Sequence, residues 1–147
     1  MISIVQATLK HITEITPLFD QYRMFYKQET DMQAAKQFLT ERIQKEESII
    51  FLAYFNGEPI GFTQLYTSFS SVSMQPIFIL NDLYVAQTNR GKGIGEALLN
   101  RAKELCIDRK YKGLALETGI ENPARKLYEK LDWKKDTDCF HYFWTSE

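Results

Sequence analysis

Three glycines at alternate positions, Gly91, Gly93 and Gly95, interleave with Arg90, Lys92 and Ile94 and lead into Glu96-Ala97-Leu98-Leu99. A β-rich stretch, Ile79-Leu80-Asn81-Asp82-Leu83-Tyr84-Val85, precedes them. A strand that runs into such a turn and then opens a helix is built to hold an anion. Glycines let the backbone approach a ligand with no Cβ in the way. The first helical turn offers N–H groups that lack intrahelical partners, at the positive end of the helix dipole. A phosphate or pyrophosphate is the natural guest, and Arg90 and Lys92 can add charge-assisted bonds. The competing reading is a tight turn with a flexible helix start. Two phosphate loops fit poorly: Lys92 is followed by Gly93 and not by Ser or Thr, as a nucleotide P-loop requires. A dinucleotide fingerprint needs one more residue before its last glycine and usually opens a Rossmann domain.

The rest of the chain must position that turn. Its 147 residues, 44% hydrophobic and 25% charged, suit a single domain over 1–147 with its own core. A formal net charge of -1 gives no general attraction to nucleic acid or to an anionic membrane. Residues 1–7 show no basic leader, and the longest apolar run, 49–55, is too short to span a bilayer, so a cytoplasmic location is expected. Cys106 and Cys139 match no metal or redox spacing and are expected to be small buried hydrophobes, Cys106 in a helix and Cys139 in a strand. With only His11 and His141 as imidazoles, a zinc site is hard to assemble and no metal is expected.

Hydrophobic periodicity predicts strands at 2–8, 48–55, 60–67, 77–85, 113–118 and 140–144. It predicts helices at 11–28, from an N-cap at Asp31 to about 46, at 93–110 and at 122–131. Asn56-Gly57 signals a hairpin, and the hydroxyl-rich stretch 68–73 reads as a loop. The order β-α-α-β-β-β-α-β-α-β places two strand-helix-strand passages after an antiparallel meander. The expected object is an α/β fold, a mixed sheet covered by helices on both faces.

Arg90-Gly91-Lys92-Gly93-Ile94-Gly95 resembles the Arg/Gln-x-x-Gly-x-Gly/Ala signature of the GNAT superfamily of N-acetyltransferases. Residues 80–85 are similar to that family's fourth strand. Asn122-Pro123-Ala124-Arg125-Lys126-Leu127-Tyr128, continuing to Trp133, is similar to its second cofactor segment. The three blocks stand in family order and spacing, and the resemblance covers nearly the whole chain. It implies acetyl-CoA as cosubstrate, with the pyrophosphate on backbone N–H groups of Gly91, Lys92, Gly93, Ile94, Gly95 and Glu96, and with Arg90 shaping the turn. It places the pantetheine arm along the backbone of Leu83, Tyr84 and Val85, where an N–H would also stabilise the thioester oxygen. Asn122 matches the asparagine that contacts pantetheine, and it is equally a good helix cap. Tyr128 matches the tyrosine that protonates the departing thiolate, and it also reads as core packing beside Leu127 and Leu131.

The attacking amine must lose a proton, and Asp82 and Glu117 are the two candidate bases; strand alternation can equally turn either one into solvent or a salt bridge. The polyamine acetyltransferase branch has an acidic pair where this chain has Asn81-Asp82, a departure that leaves base and polyamine preference open. The resemblance puts the acceptor site at the first two helices and the loop before the fourth strand. Tyr22, Tyr26, Glu29, Asp31, Tyr66 and residues 68–73 are therefore candidates, although aromatics at helical spacing also serve as core. The expected activity is transfer of an acetyl group from acetyl-CoA to a primary amine of a small molecule, such as a polyamine or an amino acid. The alternatives are a noncatalytic acyl-CoA sensor and acetylation of a protein amine. The apolar stretch 140–144 suggests a homodimer.

Overall fold

Alternation in the first residues forms β1 (Ile2–Gln6), and Asp31 caps a helix as expected: its carboxylate accepts from Ala34 N–H at 3.0 Å. The computed structural model describes residues 1–146. After β1 come α1 (Ile12–Phe25), α2 (Met32–Gln44), β2 (Ser48–Phe55), β3 (Glu58–Ser70), β4 (Gln75–Val85), α3 (Ile94–Asp108), β5 (Leu114–Ala115) and α4 (Ala124–Lys130). The larger compact unit is Met1–Glu117, and a smaller one begins at Thr118.

In the larger unit the strands lie in the order β1-β2-β3-β4-β5, antiparallel up to β4 and parallel between β4 and β5. The β2–β3 hairpin turns on Asn56 (φ 51°) and Gly57 (φ 85°), the pair of left-handed residues that matches the twist of the flanking strands. β2 is apolar almost throughout, and its successive side chains point to opposite faces. Ile50 and Leu52 join Phe62 of β3 in a cluster with Ile15, Leu18 and Phe19 of α1 and Leu39 of α2. Phe51 points the other way, where Arg101 of α3 lies 4.6 Å from its ring centre. Helices thus cover both faces of a mixed sheet, as the sequence implies, and Ile94, Leu98, Leu99 and Ala102 of α3 are fully buried.

Four expectations are corrected. The loop expected at 68–73 is half strand, because β3 continues to Ser70 and the turn occupies 71–74. The strand expected at 113–118 is two residues long. The final strand expected at 140–144 does not form: these residues join no ladder among those described, and Phe140, Tyr142, Phe143 and Trp144 are 82–88% exposed. A strand exists only through its ladder, so β-forming composition alone does not make one. Cys139, expected in a buried strand, is exposed, whereas Cys106 is buried in α3.

The α1–α2 connection is held from inside by Asp20, which is 5% exposed. Its carboxylate accepts from Thr30 Oγ1 at 2.6 Å and from Asp31 N–H at 2.8 Å. Burial pushes its pKa up, but these donors and the Arg23 charge outweigh it and hold the group below the usual carboxylate range. Asp20→Ala is expected to lower stability at neutral pH by about 1–3 kcal/mol, measured by urea unfolding. Because the folded pKa is depressed, this contribution is present above the unfolded value near 3.8 and fades as pH falls through the folded value. The gap between wild type and variant should therefore narrow in acid, and a gap independent of pH would contradict the assignment.

Candidate functional site

Residues 78, 80, 82 and 84 would share one face of a regular strand. They do not, because β4 holds one residue more than its partner. Gln64 pairs with Asp82 while the next residue, Leu65, pairs with Leu80, which leaves Asn81 as a β-bulge. Below the bulge, Phe78 faces the α3 side, with the guanidinium of Arg109 5.7 Å from its ring centre. Above it, Tyr84 packs on Tyr22 of α1 and donates its hydroxyl to Gln21 at 3.2 Å. Asp82 goes with Tyr84, onto the α1 side.

Asp82 is 2% exposed, and both its oxygens are occupied. Gln64 Nε2 donates to Oδ2 at 2.6 Å and Asn81 Nδ2 to Oδ1 at 2.7 Å. Burial raises its pKa above the usual range, while the bonds from Asn81, Gln64 and Tyr22 act against that rise. The Tyr22 hydroxyl also donates to the bulge carbonyl, Asn81 O, at 3.2 Å. Tyr66 stands on the same face of β3. Burial and the neighbouring charge of Asp82 push its phenol up to about 12, with Arg42 opposing and Glu47 reinforcing the shift. Gln64 is fully buried and its Oε1 has no hydrogen-bond partner among the described residues. Flipping the amide would set that oxygen against a carboxylate, so the orientation is fixed. An orphaned buried acceptor costs about 1–3 kcal/mol, an expense an apolar side chain would avoid.

β5 pairs with β4 only at Phe78 and Ile79, so the outer edge of residues 81–85 has no strand neighbour among those described. Val85 O accepts from Arg90 Nε at 3.0 Å, so Arg90 braces the turn. Gly91 (φ 82°) and Gly93 (φ 81°) take left-handed conformations, and a Cβ on either would meet no atom within 4 Å. Gly93 is the N-cap of α3 and has no side chain to satisfy the helix. The first intrahelical bond is Ala97 N–H to Gly93 O, so the N–H groups of Ile94, Gly95 and Glu96 precede the ladder. Exposed glycines, N–H groups at the start of a helix and an open strand edge suit a diphosphate with an extended arm beside it.

In the smaller unit the N-cap of α4 is Pro123 and not Asn122 as expected; Asn122, one residue earlier, accepts through Oδ1 from Ala124 N–H at 2.9 Å. Tyr128 of α4 sits 5.8 Å from Trp133, ring centre to ring centre.

The acetyltransferase (GNAT) family model matches residues 12–133. The chain belongs to the GNAT acetyltransferase family. It is 48% identical to the uncharacterised N-acetyltransferase YhfO of Bacillus subtilis over 141 residues, 95% of each chain. It is 30% identical over 132 residues to a "probable acetyltransferase" of Haemophilus influenzae, 81% of this chain and 90% of that one. A solved structure, also described as a "probable acetyltransferase", superposes with a TM-score of 0.92 at 35% identity, covering 99% of this chain and 98% of that one. The protein is an N-acetyltransferase, and its family uses acetyl-CoA as acetyl donor.

For an N-acetyltransferase the bulge brings together Asp82, Tyr22 and Tyr66. Glu117 is exposed just beyond β5, and Tyr26 and Glu29 lie exposed at the C-terminal end of α1 and the loop after it. Asn81 acts as a donor to Asp82, a task an acidic residue in its place would not perform while ionised. Sequence reasoning alone misses Gln64. Its one signal is an amide at an inward position between Phe62 and Tyr66. No described helix is long and apolar enough to cross a membrane. Among the described residues no three metal-binding side chains cluster.

Tyr66 is expected to stay protonated well beyond pH 10, and Asp82→Asn should lower its pKa because a neighbouring negative charge is gone. Ring-labelled tyrosine NMR would follow the titration. Ionisation of Tyr66 near 10 in the wild type would refute the arrangement.

Proposed function

We propose that this acetyltransferase passes the acetyl group of acetyl-CoA directly to the primary amine of a small molecule, with both substrates bound together. The observation that carries the reading is the bulge at Asn81, which turns a buried carboxylate to the α1 side while leaving the backbone edge of Leu83, Tyr84 and Val85 open. Acetyl-CoA supplies an activated thioester; the rest is the work of the chain. The N–H groups from Gly91 to Glu96 hold the diphosphate, with Lys92 adding charge. The strand edge holds the pantetheine and an N–H near Leu83 or Val85 faces the thioester oxygen.

A lysine-like amine has a pKa near 10.4, so at pH 7 deprotonation costs about 4.6 kcal/mol. Asp82 is the proton acceptor in this reading, since burial lifts its pKa toward working pH. Tyr128, by the family pattern, delivers a proton to the departing sulfur. A free thiolate is a weaker base than tyrosinate by about 2 kcal/mol, so the proton must move as the C–S bond breaks. Tyr22 and Tyr66 beside Asp82, with exposed Phe25 and Tyr26 on the same helix end, offer aromatic faces that suit a cationic amine. The inward position of Asp82 beneath α1 favours a slender acceptor over a folded protein surface.

Thiol release from acetyl-CoA with a panel of small amines and peptides tests this. Turnover with at least one small primary amine is expected. Tyr128→Phe and Asp82→Asn should each lower kcat roughly a hundredfold, whereas Gly93→Val should mainly raise KM for acetyl-CoA. Turnover with peptides alone would overturn the acceptor class. An unchanged KM in Gly93→Val would remove the diphosphate cradle.

A further inference from the structure

We infer that Gln64 is a positioning residue for the proton-transfer step: through its Nε2 bond it fixes the Asp82 carboxylate in the orientation that receives the amine's proton. The inference rests on the reading of Asp82 as proton acceptor. Three observations carry it. The 2.6 Å bond ties Gln64 to one carboxylate oxygen across the strand pair, while Asn81 ties the other, so the carboxylate has no rotational freedom left. The register that sets Gln64 opposite Asp82 is the last before the bulge, so the pair and the bulge are one construction. The other end of the amide, Oε1, is buried with no described partner, so the one described bond of the side chain is the one to Asp82.

The groups facing Asp82 are Tyr22 from α1, Gln64 and Tyr66 from β3 and Asn81 on its own strand; Arg42 of α2 and Glu47 act on Tyr66 behind it. Of these, Gln64 and Asn81 are the non-titrating donors, so removing Gln64 should change the pKa of Asp82 without introducing a new titration. Loss of a donor to the charged form raises a carboxyl pKa further.

The test is the pH dependence of kcat/KM for the amine in wild type, Asp82→Asn, Gln64→Leu and Gln64→Glu, with urea unfolding of each. In Gln64→Leu the acid limb should move up by about one unit, so that activity at a pH on that limb falls roughly tenfold, with KM for acetyl-CoA unchanged within about twofold. Gln64→Glu, which sets a second carboxyl against the first, should move the limb further, as a coupled pair. An acid limb unmoved in both Gln64 variants, while Asp82→Asn abolishes it, would reduce Gln64 to a structural role. So would loss of folding in both. A limb that survives Asp82→Asn would instead remove the reading of Asp82 beneath it, and this inference with it.

Discussion

β4 carries one residue too many for its ladder with β3, and the face of every side chain beyond Asn81 depends on that excess. With a regular strand, Phe78, Leu80, Asp82 and Tyr84 would line one surface of the sheet. Either the carboxylate would be driven under the apolar helix α3, or Phe78 and Leu80 would leave the core. The bulge resolves the conflict by changing parity in mid-strand. Phe78 keeps its place on the α3 side, and Asp82 meets Gln64 and Asn81 on the other. The hydroxyl of Tyr22 on Asn81 O then couples the bulge to α1, so the helix that covers the site also registers its backbone.

The same strand is asymmetric along its length. Its lower half has neighbours on both sides, β3 and β5, and its upper half has one. The parallel pairing with β5 ends after Ile79, just before the bulge begins. An added extended ligand could dock only on the upper half, and the turn that follows leads directly to the glycine N-cap of α3. Arg90, bonded to Val85 O, closes that short connection. Strand edge and helix N-terminus are therefore fixed by one covalent path of a few residues, a sound basis for aligning a diphosphate with the arm attached to it.

Much of this is legible in the amino-acid sequence. Gly91 and Gly93 have chemical meaning that their spacing suggests, because few residues other than glycine tolerate φ near 80° without strain, whereas the Arg90 brace is implied by the family resemblance. The Asn56-Gly57 hairpin and the Asp31 cap are legible for similar local reasons. What escapes is non-local. A bulge is a difference in count between two strands, so neither strand shows it by itself. Gln64 gains its meaning only from the residue set opposite it. The stretch 140–144 shows the converse failure: aromatic, β-forming residues signal a strand, yet the described chain gives them no ladder.

The physical balance at Asp82 explains why the site is built from amides and phenols instead of cations. Burying an isolated carboxylate raises its pKa by as much as three to five units, which would leave it protonated at neutral pH and useless as a base. Pairing it with a buried arginine would do the opposite, holding the proton affinity too low to draw a proton from an amine. Two neutral amide donors, Gln64 and Asn81, offset part of the desolvation and add no net charge. The Tyr66 phenol, pushed up to about 12 with Asp82 as one cause, stays neutral at any working pH and adds no competing anion. Neutral donors around a desolvated carboxylate oppose part of the rise that burial causes without adding charge, which is the balance the proposed role as base requires.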